Sequence, residues 1–382
     1  MRSNMFYKPN LFLRILKIAG ISLAVIAGLV LLYFLGSLGF KYFGRVKVND
    51  KPSVTELKLE LDQSITYENI ASNSAMFLYN SESIKVISKD GKFIRDDALK
   101  MANPTTISRG NYTLFFDIGG HNAIVFNKTK QETTLTVQEK ILMASVNNSG
   151  AVVLVTEGDL HKAVVRVYSA DGKEIFKWNS GKLAVISADI ADNSKELTVS
   201  ALNTDEGALK NHIIMFNVTK EKPFTNDIYD TALYSVVRYD GSHLYCIGSH
   251  NTLIYNGYGK CSGTADYGDR ELMHYVTADG MLILAFSGSE EVPGAYAEVK
   301  SYNHRGAETG SFTSRQAFDF IAAKDGRIVL NNGRTLSVLN GHCQEKRQLN
   351  LSIDLHDFLF TDSTGHGIGL TASGAVNIRL GS

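Results

Sequence analysis

The chain is short of the residues that staple or interrupt a fold. Three cysteines, five prolines and one tryptophan are spread over 382 residues. Three thiols (Cys246, Cys261 and Cys343) exclude a disulfide framework for a domain of this size. At most one bridge can form. Cys246 and Cys261 are near enough in sequence to be tested, but their spacing does not demand a bond, and isolated thiols packed as small apolar residues are the expectation. With so little proline and no low-complexity or single-sign tract, a disordered stalk is not expected. The formal net charge is zero, from 39 basic and 39 acidic residues. That balance supplies no general attraction to nucleic acid or to acidic lipid, so no nucleic-acid partner is expected.

The linear signatures of catalysis are also missing. No glycine-rich phosphate loop of the P-loop type occurs, and no Gly-x-Ser-x-Gly nucleophile elbow. No His-Glu-x-x-His, Cys-x-x-Cys or EF-hand pattern occurs, so zinc and calcium have no strong sequence claim. No catalytic residue, cofactor or metal is assigned. The weaker candidates are few. Asp266, Asp269 and Glu271 crowd one loop, as do Asn203, Asp205 and Glu206 in another. Neither spacing matches an established oxygen cage, and Arg270 sits among the first group, so both read as solvated loops. His342-Cys343 falls in an expected hairpin turn, where adjacent side chains point apart. His356-Asp357 stands where the inner strand of a last unit would begin, facing a central channel. Five Asn-x-Ser/Thr sequons, at Asn111, Asn127, Asn147, Asn217 and Asn350, are no more than an Asn- and Thr-rich chain yields by chance.

One apolar run is present. Residues 18–40 read IAGISLAVIAGLVLLYFLGSLGF, 23 residues without a charge. At about 1.5 Å per residue, a helix of that length crosses a ~30 Å hydrocarbon core with some tilt. The run is too long for the core of a cleaved signal peptide, and Lys41, Arg45 and Lys47 come directly after it, so an uncleaved anchor is expected. Arg2, Lys8, Arg14 and Lys17 precede it, so the positive charges nearly tie across the segment. An N-terminal anchor with no second span usually exports the chain on its C-terminal side. The expectation is therefore a cytoplasmic segment 1–17, an anchor 18–40, a linker 41–53 and an extracytoplasmic domain 54–382 at the cell membrane. Gly20, Ala24 and Gly28 share one helix face and form a candidate packing surface within the bilayer.

The rest of the chain repeats. VVRVYSADGKEIFKW, beginning at Val164, is a strand, an Asp-Gly turn and a second strand. Aligned on Tyr168, it recurs at Ile87, Phe126, Phe216, Tyr255, Tyr302 and Leu339, with spacings of 39, 42, 48, 39, 47 and 37 residues. A second hairpin precedes each, with turns such as Asp192-Asn193-Ser194, Asp240-Gly241-Ser242, Asp279-Gly280 and Asp325-Gly326. Four antiparallel strands in about forty residues is the signature of a β-propeller blade. The last unit ends after three strands, while Val54 to Leu61 (VTELKLEL) alternates as a strand without a partner. An all-β propeller of about eight blades, closed by that N-terminal strand, is expected. Seven blades is the alternative, if residues 64–100 and 355–380 share one.

Stretches such as VRVYSADGKEIFKW and AVISADIADNSKELTVSALN, behind a short basic N-terminus and one anchor helix, resemble an uncharacterised domain-of-unknown-function family. Its members are single-pass, membrane-anchored, propeller-like proteins of clostridia-like Gram-positive bacteria. The resemblance implies the fold and the anchor and transfers no catalytic residue.

The longer loops carry the remaining information, since recognition tends to sit on loops held by rigid scaffolds. Residues 157–162, 203–211 and 287–297 each join the second and third strands of a unit, so all should emerge on one face. The last, SGSEEVPGAYA, offers Glu290, Glu291 and Tyr296 as contact residues. The reading is a non-catalytic, membrane-tethered scaffold for a protein or envelope partner. The alternatives are a hydrolase or lyase with a channel-centred site, or a small-ligand sensor.

Overall fold

The computed structural model describes residues 52–57, 69–72, 75–88, 91–205, 207–230, 232–288, 297–371 and 374–381. The anchor segment, the Gly20/Ala24/Gly28 face and the Glu290, Glu291 and Tyr296 loop lie outside the described residues. Within them every regular element is a strand, and the 32 strands form eight antiparallel four-stranded sheets. Seven sheets take their strands in sequence order. Residues 69–98 form blade 1, and 104–136, 141–179, 184–229, 234–266, 272–314 and 320–350 form blades 2 to 7. Blade 8 combines Asp357–Phe360, His366–Thr371 and Gly374–Arg379 with Ser53–Leu57 as its outer strand. The closing strand pairs in the register Val54 with Ile378 and Glu56 with Val376. The alternative of seven blades is thereby excluded.

Burial explains why the blades need one another. In Val152–Thr156, the second strand of blade 3, Val153 and Val155 pack among side chains of blade 4. Val152 and Leu154 pack among side chains of blade 2. A strand with period-two alternation buries both faces only if a sheet lies on each side. The eight apolar clusters each join two adjacent blades, the last linking blade 8 to blade 1.

The repeat has a backbone origin. Ile87, Phe126, Tyr168, Tyr255, Tyr302 and Leu339 each sit where the pairing of third and outer strands shifts by one residue. Such a bulge increases local twist and swings the outer strand. The aligned side chains are buried between blades. In blade 4, Phe216 is buried too, but a longer connection to Thr225–Tyr229 replaces the bulge.

The Asp-Gly turns do more than reverse the chain. Asp279 and Gly280 both have positive φ, 55° and 74°, as the tightest two-residue hairpin requires. The Asp240 carboxylate of blade 5 accepts the Gly280 N–H of blade 6 at 2.7 Å. The Asp279 carboxylate in turn accepts the Gly326 N–H of blade 7 at 3.1 Å. The inner turns of blades 5, 6 and 7 are thus fastened in series.

Candidate functional site: the loop face and the channel mouth

Antiparallel order assigns every connection to one of two faces. Turns between first and second strands, and between third and outer strands, lie on one face, here called the turn face. Links between second and third strands, and between blades, lie on the other, the loop face. Residues 157–162 and 203–211 belong to the loop face, as the sequence implies.

Residues 203–211 are not a loop, however. The second and third strands of blade 4, Glu196–Asp205 and Ala208–Asn217, are ten residues each. The inner strand accompanies them only to Leu202 and the outer strand only to Asn211. The pairs Asn203–Lys210, Thr204–Leu209 and Asp205–Ala208 therefore form a two-stranded ribbon beyond the sheet. Leu209 on it is 51% exposed. On neighbouring blade 3, the loop 157–162 is tied at its ends by Glu157 N–H to the Lys140 carbonyl and Lys162 N–H to the Gly181 carbonyl. Leu160 at its tip is 92% exposed. Leu233, in the link from blade 4 to blade 5, is exposed on the same face.

The turn face opens into the central channel through a cavity of about 580 Å³. Its wall comes from inner strands and the turns that follow them, and it carries Arg109, Arg238, Lys324, Asp240, Asp279 and Asp357. Arg109 of blade 2 reaches Asp189 of blade 4, Nη2 to Oδ2 at 2.9 Å, with both side chains almost wholly buried. The same oxygen accepts the Tyr239 N–H at 2.8 Å, so three blades meet at one carboxylate. Arg109 Nη1 and Asp189 Oδ1 are buried without a partner. Burial pushes the Arg238 guanidinium down, the Arg109 charge adds to that, and Asp189, Tyr275 and Asp240 oppose it. Burial pushes the Asp240 carboxyl up against the Gly280 N–H bond that holds it down. It does the same to Asp357 against the N–H of Phe358.

The remaining sequence candidates are dispersed. Asp357 does line the channel, as its position at the start of a last inner strand implies. Asp266 accepts the Gly268 N–H at 2.8 Å, and Arg270 turns away to Glu298. His342 bonds the Thr309 carbonyl at 3.1 Å, while neighbouring Cys343 is buried. Asn203 is spent on His212 at 3.1 Å. Among the described residues no three His, Cys, Asp or Glu side chains are grouped to hold a metal. All three cysteines are free, Cys246 and Cys343 buried and Cys261 exposed. Sequence reasoning missed Arg109, Asp189 and Arg238. They come from three blades, and no local pattern connects them.

Eight four-stranded blades around a charged channel define the chain as an eight-bladed β-propeller. It belongs to DUF5711, a family of unknown function whose sequence pattern matches residues 47–380. No curated protein matches it. Among solved structures it is similar to BamB from Moraxella catarrhalis, at 11% identity and a TM-score of 0.52 over 85% of this chain and 99% of that one. It is also similar to the computationally designed Ika8 protein, at 15% identity and a TM-score of 0.60, with the same coverage. At these identities the likeness shows the fold alone.

Proposed function

We propose that the protein is a membrane-tethered scaffold whose loop face binds a protein partner outside the cell membrane. The observation that carries this is the apolar projection from neighbouring blades: Leu160 at a loop tip, Leu209 on a ribbon beyond its sheet, and Leu233 in the link to blade 5. Exposed leucines on one face of a rigid ring suit a protein contact, where apolar anchors sit inside a polar rim. The uncharged run 18–40 supports the tether.

The natural cysteines test the topology. Cys261 is the exposed thiol, and Cys246 and Cys343 are buried. A membrane-impermeant maleimide added to intact cells is expected to label the chain, and labelling should vanish in Cys261→Ser. Labelling only after permeabilisation places the propeller in the cytoplasm and overturns the proposal.

A further inference from the structure

We infer that the channel mouth on the turn face binds a small organic anion, one carrying a carboxylate or phosphate group, through the Arg238 guanidinium. The inference goes beyond the scaffold reading and concerns the opposite face, so the two stand or fall separately.

One charged donor at this cavity stands without a protein acceptor among the described residues. The carboxylates near it are engaged. Asp240 accepts the Gly280 N–H, Asp279 the Gly326 N–H and Asp357 the Phe358 N–H. Asp189 accepts from both Arg109 and Tyr239. Arg238 lies among them with five N–H donors and, among the described residues, no hydrogen bond or ion pair. A half-buried guanidinium without a protein acceptor is free to take one from solution.

The second observation is Arg109. Its side chain is 9% exposed and held in place by Asp189. Its Nη1 has no hydrogen-bond partner, and its charge is balanced by Asp189, whose Oδ1 is likewise unpartnered. Lys324 adds an exposed cation at the cavity. The Arg109 charge bears on Arg238, Asp189 and Asp240 oppose it, and an anion at the mouth fills the Arg238 fork. A planar fork suits carboxylate or phosphate oxygens taken two at a time. The cavity of about 580 Å³ is the size of a small-molecule site. A whole protein loop would be the wrong scale for it.

The test is calorimetric titration of the full-length protein in detergent. The probes are inorganic phosphate, succinate and calcium chloride, at matched ionic strength. Saturable binding of phosphate or succinate is expected, and the one that binds names the group recognised. Arg238→Gln should weaken that binding roughly tenfold or more, the loss of a charge-assisted hydrogen bond. Arg238→Lys retains the charge without the fork and should weaken it less. If Arg238→Gln does not fold by near-ultraviolet circular dichroism, Arg238→Lys decides alone, and unchanged affinity there overturns the inference. No saturable heat from either anion, equal affinity in Arg238→Gln, or binding of calcium in place of an anion also overturns it.

Discussion

Proline at both Thr55 and Glu56 is expected to open the ring. The closing strand Ser53–Leu57 is the outer strand of blade 8 and pairs residue by residue with Gly374–Arg379. Successive N–H groups in a strand point alternately toward the partner and away from it. Two consecutive prolines therefore remove at least one donor from the ladder and lock φ near −65°, away from the extended value. The five-residue strand then has little reason to stay. Its ladder bonds contribute about 1 kcal/mol each. Val54, which packs against the core shared by blades 7 and 8, adds about 1–2 kcal/mol by burial. A loss of about 5 kcal/mol is a large share of the stability of a typical domain. The freed strand Gly374–Arg379 would also become an open edge, a template for intermolecular pairing. Urea denaturation and size-exclusion chromatography of the full chain in detergent check this. The expected result is a lowered, broadened transition with soluble aggregate. An unchanged midpoint and a single monodisperse peak would show that the ring does not depend on this strand.

The second large effect is expected from Phe126→Ala. Phe126 is fully buried at the bulge of blade 2, and its ring meets Phe77 of blade 1 at 5.2 Å and Phe115 at 5.6 Å, both edge-on. The Arg95 guanidinium lies 5.4 Å from the same ring. Truncation leaves a cavity between two rigid sheets that cannot collapse onto it. The expected cost is about 3–5 kcal/mol. Phe93 in the neighbouring blade is the internal control. It is 45% exposed, and Phe93→Ala should change stability by no more than about 0.5 kcal/mol. Equal shifts in the urea midpoint for the two variants would contradict a rigid inter-blade core centred on Phe126.

The architecture was legible because its cause is local and repeated. A bulge after a buried aromatic or aliphatic residue, and a turn of Asp, Asn or Gly before the second strand, recur in most units, and both leave a mark in a few consecutive letters. The closing strand was legible by subtraction, since the last unit shows three strands of its own and Val54 to Leu61 alternates without a neighbour, of which Ser53–Leu57 forms the strand. The ribbon of blade 4 was not legible as strand. Its residues NTDEGALKNH have the composition of a loop, and only the pairing of Asn203 with Lys210 makes them a hairpin. The fastening of one Asp-Gly turn to the next was hidden too, because Asp240 and Gly280 are forty residues apart. The same holds for the channel charges. Arg109 and Asp189 are eighty residues apart, joined only because the ring closes.

The central claim, that the loop face meets a protein partner, is tested most directly by amine cross-linking of the full chain in its native membrane, with the linked lysines mapped by mass spectrometry. Lys162 and Lys210 lie on the loop face, while Lys173 and Lys260 are exposed in turns of the opposite face. One reproducible partner, joined through Lys162 or Lys210 and absent from Lys173 and Lys260, is the predicted result. Links to a partner through Lys173 and Lys260, with none through Lys162 or Lys210, would contradict the claim and move the working surface to the turn face.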